Sequence, residues 1–202
     1  GDIIVSEIMH SPSKAADYKG EWFEIANRTP YRVNLNGLIV RGEGGESFQV
    51  EEDVFVESYG YVVFAVRLSQ LDNGGLSRVD YLYSVNDLRL NSADTLRLEN
   101  ADGALLDEVV FDADAFPFLR GASISLGTLD DTANDEGIYW CLADYPYGYG
   151  DFGTPGYTNA YCNSMVTLTD ISLGDIVVSE IMHSPSMVYD YKGEWFELHN
   201  TL

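Results

Sequence analysis

A 29-residue segment occurs twice in this chain, and this duplication constrains the architecture more than any other feature. Residues 174–202 repeat residues 1–29 with 21 identical positions at a constant offset of 173. Chance does not produce such identity, so the repeat reflects an internal duplication. A period of 173 residues is far longer than a solenoid unit of about 20 to 50 residues. The sequence therefore predicts a tandem array of whole domains.

The duplication also predicts where the domains begin and end. Residues 1–162 are expected to form one complete module, and residues 163–173 a linker. Residues 174–202 are expected to form the first two strands of a second, incomplete copy. Apolar residues of that copy, such as Trp195 and Phe196, would be half-exposed in isolation, so we expect them to contact a partner.

Short apolar segments bounded by turn residues run through the first copy, and this pattern is typical of strands. The clearest case is the hairpin of residues 94–111, with Leu96 and Leu98 facing the core and Asp102-Gly103 in the turn. Strands are predicted over residues 3–9, 21–26, 38–41, 46–50, 60–66, 79–84, 94–99, 104–111, 122–126 and 138–142. The fold predicted from this pattern is an all-β sandwich of about nine to ten strands.

The chain is strongly acidic, with 33 Asp and Glu against 11 Lys and Arg and a net charge of −22. Nucleic-acid binding requires clustered basic residues, whereas those of this chain are scattered. We therefore expect neither nucleic acid nor an anionic membrane surface as a partner. No apolar run approaches the about 20 residues of a membrane span, so membrane insertion is not expected either.

The two cysteines, Cys141 and Cys162, lie in an aromatic, glycine-rich segment. Neither has the neighbouring Cys or His residues that a zinc site requires. A disulfide between them would stabilise the fold by about 3 kcal/mol and would indicate an oxidising compartment. The alternative is two free, buried thiols.

Several motifs follow one another along the first copy: residues 5–9 (VSEIM), 20–27 (GEWFEIAN), 33–38, 60–65, 91–98, and 153–156 (GTPG) with Asn159. In order and spacing they resemble the lamin tail domain family, in the form found in secreted bacterial proteins with tandem repeats. The resemblance implies an immunoglobulin-like β-sandwich at an extracellular or cell-surface location. It also implies a role as an accessory or structural module.

The motifs of catalysis are missing from the sequence. The complete copy contains a single histidine, His10, and no serine in a G-x-S-x-G context. The chain is therefore not expected to be an enzyme. His10 recurs as His183 and is either a metal ligand together with Glu7 or a ring that packs at the end of a strand.

Three acidic loops, at residues 17–21, 112–114 and 130–136, are candidates for calcium, which takes six to eight oxygen ligands. None has EF-hand spacing, so a site would need acids from several loops. The alternative is that these carboxylates are solvated. The predicted calcium ligands are Asp130, Asp131, Asn134, Asp135, Glu136 and Asp151.

Aromatic residues are candidate contacts for a partner or a glycan. Tyr147 and Tyr149 are flanked by glycines and are expected to be exposed. Trp195 and Phe196 are the corresponding candidates in the second copy, whereas Trp22 is expected in the core.

Two functions fit these features. The first is a non-catalytic structural or interaction module of a secreted or cell-surface repeat protein. Its partners would be other copies of the module, and strand pairing would assemble them into fibres or a matrix. The alternative is an accessory module that binds a carbohydrate or a surface protein and directs an attached extracellular enzyme to its target.

Overall fold

The computed structural model describes residues 1–160, 162, 173–174 and 176–200. The chain divides into two compact units, Gly1–Ser164 and Met165–Leu202. Apart from Leu173, the predicted linker of residues 163–173 lies outside the described residues.

The regular secondary structure in the described part of the first unit consists almost entirely of β-strands. One short helix, α1 (Asp17–Gly20), and one 3-10 turn (Gly137–Tyr139) interrupt them. The strands are β1 (Ile3–Met9), β2 (Trp22–Asn27), β3 (Val33–Asn34), β4 (Ile39–Arg41), β5 (Ser47–Gln49), β6 (Phe55–Val56), β7 (Tyr61–Ala65), β8 (Tyr81–Leu82), β9 (Asp94–Glu99), β10 (Leu105–Phe111), β11 (Ile124–Leu126), β12 (Trp140–Leu142), β13 (Pro146–Tyr147) and β14 (Asp151–Phe152).

Two main sheets form the sandwich. One has six strands in the order β12-β11-β1-β2-β7-β8, and the other has four in the order β10-β9-β4-β5. The pairing is antiparallel except between β7 and β8. Short two-stranded sheets, β3-β6 and β13-β14, lie beside them. The predicted all-β, immunoglobulin-like sandwich is confirmed.

Apolar residues from both sheets form one core. Leu96 and Leu98 are fully buried in it, as the hairpin pattern predicts. Phe23 stacks on Phe64, with ring centroids 5.0 Å apart. The predicted turn between β9 and β10 is present, and Gly103 adopts the positive φ of 79° that the turn requires.

Strands β1 and β2 are buried on both faces. Alternation along a strand places successive side chains on opposite faces, and here the second face is also covered. It carries a smaller apolar cluster that includes Met9, Trp22 and Leu76, with Tyr147 packed against it. These two strands are therefore central in the fold.

The strands predicted at residues 79–84 and 138–142 are among those that are shorter in the structure. Of residues 79–84, only Tyr81–Leu82 form a strand. The Asp80 carboxylate accepts a hydrogen bond from the Val63 N–H (2.8 Å), a donor that a longer β8 would pair with main-chain oxygen. The strand predicted from residue 138 begins at Trp140, because a 3-10 turn precedes it.

The second unit contains β15 (Ile176–Met182), α2 (Asp190–Gly193) and β16 (Trp195–Asn200). Strands β15 and β16 form an antiparallel hairpin. Its register repeats that of β1 and β2 at the offset of 173, including the irregularity between Val5 and Glu7, which recurs between Val178 and Glu180.

Candidate functional site

A buried carboxyl pair lies on the face of the six-stranded sheet that carries Trp22. Glu7 on β1 and Glu24 on β2 are directly opposite each other in the register, and both are fully buried. Glu7 accepts hydrogen bonds from the Thr154 N–H (2.9 Å) and from the hydroxyls of Ser123 and Ser125. The side chain is thus held by β11 and by the closing loop, residues 153–159.

Glu24 binds the same closing loop at a second point. It accepts hydrogen bonds from the Gly156 N–H (2.6 Å) and from the Ser6 hydroxyl (2.7 Å). The Asn159 side chain donates to the carbonyls of Ser6 (2.7 Å) and Leu126 (3.2 Å). Together these bonds fasten the closing loop across the sheet.

The pKa values of both carboxyls in this pair are raised. Burial raises the pKa of Glu7, and burial together with the charge of Glu7 raises the pKa of Glu24 well above its ordinary value. Two buried carboxylates facing each other repel, and neither is well solvated. Burial and mutual repulsion therefore make the pair bind a proton more readily than two solvated carboxyls would.

A disulfide encloses the segment that contains the closing loop. Cys141 and Cys162 are bonded, with Cα atoms 5.5 Å apart, which confirms the predicted pairing. Cys141 lies on β12, the edge strand of the six-stranded sheet. The bond therefore anchors residue 162 to the sheet that the closing loop crosses.

The polar side chains of the acidic loop, residues 130–136, are partly engaged by other groups of the first unit. Asp130 accepts from the Thr132 N–H (2.9 Å), and both Asp130 and Asp131 form ion pairs with Arg28. Asn134 is buried and donates to the Asp107 carboxylate at 2.8 and 2.9 Å. Arg28, directly after β2, thus pairs with two acids of the loop, and the loop's own Asn134 binds Asp107.

The remaining calcium candidates do not complete a site among the described residues. Asp135 and Glu136 are exposed. Asp151 is buried and accepts from the Ser13 and Lys14 N–H groups, at the turn after β1. Among the described residues, no group of three or more His, Cys, Asp or Glu side chains could hold a metal ion. The six predicted ligands therefore form no common site in this structure.

The two predicted tyrosine contacts have different environments. Tyr149 is exposed, as expected. Tyr147 is instead largely covered, because its hydroxyl accepts a hydrogen bond from the Trp22 indole N–H (2.9 Å) and the two rings pack edge to face. The flanking glycines suggested exposure, but Tyr147 closes the second apolar cluster and is not a free contact. Trp22 itself is fully buried, as predicted.

His10 packs its ring, the second of the two roles considered for it. The imidazole stacks on Phe118 with centroids 5.3 Å apart and lies 5.8 Å from Phe111. Glu7, its proposed co-ligand, is bound to serine and threonine donors instead. Burial lowers the pKa of His10, so the imidazole is neutral at neutral pH.

The second hairpin has the same register as the first, but it is not part of a larger sheet among the described strands. Among the described strands, β15 and β16 pair only with each other. Ser179 donates to Glu197, as Ser6 donates to Glu24. The apolar side chains are exposed, however: Phe196 is 66% exposed, whereas its counterpart Phe23 is fully buried. The predicted contacts at Trp195 and Phe196 are thus accessible.

A family comparison agrees with this architecture. The lamin tail domain model matches residues 1–113, which is more than half of the 202 residues. The chain belongs to the lamin tail domain family. Lamin tail domains are immunoglobulin-like modules that are in general non-catalytic. No match to this lamin tail domain chain was found among curated proteins.

The matched region ends before the closing loop and the disulfide. Sequence reasoning did not find the Glu7–Glu24 pair. The available signal was the presence of acids inside two strand motifs, both retained in the second copy as Glu180 and Glu197. Among the described helices, none is long and apolar enough to cross a membrane.

Proposed function

We propose that this lamin tail domain chain is a non-catalytic structural and interaction module of a secreted or cell-surface repeat protein. The observation that carries the proposal is the second hairpin. It has the register of β1 and β2, yet its apolar faces are exposed. A surface of this kind favours association with a complementary protein surface.

The first unit indicates what complements the hairpin. There, β1 pairs with β11 and β2 pairs with β7, so the hairpin lies between two other strands. A framework equivalent to residues 30–160 in a further module would cover β15 and β16 in the same way. That module is either the neighbour in one chain or a module of a second chain. Each large apolar side chain buried in this way contributes about 1.5–3 kcal/mol.

Two further features support a role outside the cell. The disulfide is compatible with an extracellular location, and the net charge of −22 keeps exposed modules soluble. The buried carboxyls are bound to hydroxyl and backbone donors, and this arrangement suits a structural role. Strand pairing between modules would then build a fibre or a matrix.

The test is the mass of the 202-residue chain in solution as a function of concentration. We expect the wild type to exceed its single-chain mass of 22.4 kDa as concentration rises, measured by size-exclusion chromatography with light scattering. Phe196→Asp places a charge on the hairpin face and should remain a single chain. The matched control is Ile138→Asp, at a first-unit residue that is 69% exposed, and it should associate like the wild type.

Two results would contradict the proposal. One is a wild-type chain that keeps its single-chain mass at every concentration. The other is association that Phe196→Asp leaves unchanged, since the contact would then involve another surface.

A further inference from the structure

A polar cavity of about 290 Å³ lies at the end of β1, away from the closing loop. Its walls come from the duplicated segment, from the segment that precedes β9 and from Phe118, which lies between β10 and β11. The lining side chains used below are those of His10, Asp17, Glu21, Arg89, Asn91 and Phe118. We call this space the His10 cavity.

The His10 cavity is lined by buried polar groups whose hydrogen bonding is incomplete. Glu21 is 1% exposed and, among the described residues, its carboxyl accepts a hydrogen bond only from the Leu90 N–H (3.2 Å). His10 is 7% exposed, and its Nδ1 has no hydrogen-bond partner within the described part of the chain. A buried polar group left unpaired lowers stability by about 1–3 kcal/mol. A bound polar molecule that forms hydrogen bonds with these groups would therefore be stabilised.

One aromatic side chain lines the cavity next to these polar groups. Phe118 is 49% exposed and stacks on His10 with an interplanar angle of 24°. A half-exposed ring next to carboxyl, guanidinium and amide groups offers both an apolar surface and hydrogen bonds. The cavity therefore suits a ligand that has one apolar face and many hydroxyl groups.

Charge narrows the ligand class. The carboxyls of Asp17 and Glu21, in a chain of net charge −22, disfavour an anion. A bare metal ion is disfavoured because the described residues provide no group of three suitable ligands, and because Arg89 lines the same space. A neutral polyol avoids both conflicts, since each hydroxyl can donate to a carboxyl oxygen and accept from a guanidinium or amide.

We propose that the His10 cavity binds one neutral sugar ring, with its C–H face on Phe118 and its hydroxyls on Asp17, Glu21, Arg89 and Asn91. The volume lies at the small end of the about 300–1,000 Å³ typical of ligand sites, which fits a single ring. The proposal does not depend on association through the second hairpin. The second copy retains the residues that the duplicated segment contributes, as His183, Asp190 and Glu194.

The experiment is ligand-observed NMR with the whole 202-residue chain. The probes are the methyl glycosides of glucose, galactose and mannose, together with N-acetylglucosamine and N-acetylgalactosamine. We expect saturable binding of at least one probe with a dissociation constant in the millimolar range. Asp17→Asn and Arg89→Ala change exposed residues and should each weaken binding about tenfold, because each removes a charge-assisted hydrogen bond.

Matched controls distinguish loss of the site from loss of the fold. Asp102→Asn and Arg32→Ala change exposed residues away from the cavity and should bind like the wild type. All four variants should keep the wild-type melting temperature to within a few degrees. Phe118→Ala should abolish the transfer of saturation to the sugar C–H protons.

Three outcomes would overturn the assignment. The first is the absence of saturable binding below about 10 mM for every sugar. The second is binding that Asp17→Asn and Arg89→Ala leave unchanged. The third is binding of calcium chloride or lysine methyl ester, but of no sugar, at these same residues, which would make the cavity a cation site.

Discussion

Replacing Glu21 by Gln should change how the stability of the first unit depends on pH. Glu21 is almost completely buried, and burial raises its pKa from 4.5 to about 7. The folded state therefore holds this proton more tightly than the unfolded state does. As a result, Glu21 does not change the free energy of unfolding below about pH 4.5. It lowers this free energy increasingly as the pH rises, and the full loss is reached above about pH 7.

The magnitude follows from the two pKa values. A rise from 4.5 to about 7, at about 1.4 kcal/mol per pH unit, corresponds to about 3 kcal/mol of destabilisation at pH 8. About half of this should be present near pH 5.5. Gln does not ionise, and its amide oxygen can still accept the hydrogen bond from the Leu90 N–H. The variant should therefore gain about 3 kcal/mol relative to the wild type between about pH 4 and pH 8.

The assay is urea denaturation followed by near-ultraviolet circular dichroism at several pH values. The quantity of interest is the difference in free energy of unfolding between Glu21→Gln and the wild type at each pH. Other buried acids cancel in this difference because both proteins contain them. Glu52→Gln changes an exposed carboxylate and serves as the control, with an expected difference close to zero throughout.

The reasoning is refuted if the difference for Glu21→Gln stays constant from about pH 4 to pH 8. A constant offset would mean that Glu21 titrates alike in the folded and unfolded states. A difference that falls with pH would reverse the sign of the linkage and would require a cation near the carboxyl in the folded protein.

Three further predictions concern the closing loop, the disulfide and metal binding. Glu24→Ala should cost about 1–3 kcal/mol because it leaves the buried Gly156 N–H unpaired, whereas Glu24→Gln should be at least as stable as the wild type near pH 8 in urea denaturation. The double replacement Cys141→Ser and Cys162→Ser should lower the free energy of unfolding by about 3 kcal/mol, and an unchanged midpoint would show that the bond constrains nothing. Thermal melts in EDTA and in calcium chloride should coincide, and a higher midpoint with calcium would restore the calcium hypothesis.

Much of the fold follows from local pattern. The alternation around Leu96 and Leu98 and the Asp102-Gly103 turn predict the β9–β10 hairpin, because strand periodicity and turn chemistry act over a few residues. The pairing of Cys141 with Cys162 follows from their being the chain's two cysteines. Predictions of this kind need no knowledge of how the strands are arranged.

The environment of individual polar residues was much less predictable. The Thr154 N–H reaches Glu7 across 147 positions of sequence, and Arg28 pairs with Asp131 across 103. The sequence of the acidic loop suggests a cation site, but in the fold a distant arginine forms ion pairs with two of its carboxylates. A tyrosine flanked by glycines is expected to be exposed, but in the fold its hydroxyl accepts a hydrogen bond from Trp22 and its ring is largely covered.

The duplication, the strands and the disulfide could be read from the order of residues, because each depends on short-range pattern or on identity between segments. Only the folded arrangement decided which acids are buried, which tyrosine is covered and where unpaired polar groups surround a cavity. The second hairpin illustrates the physical reason most directly. Phe23 and Phe196 occupy equivalent positions in nearly identical segments, yet one is buried and the other exposed, because burial depends on what the rest of the chain places against a strand.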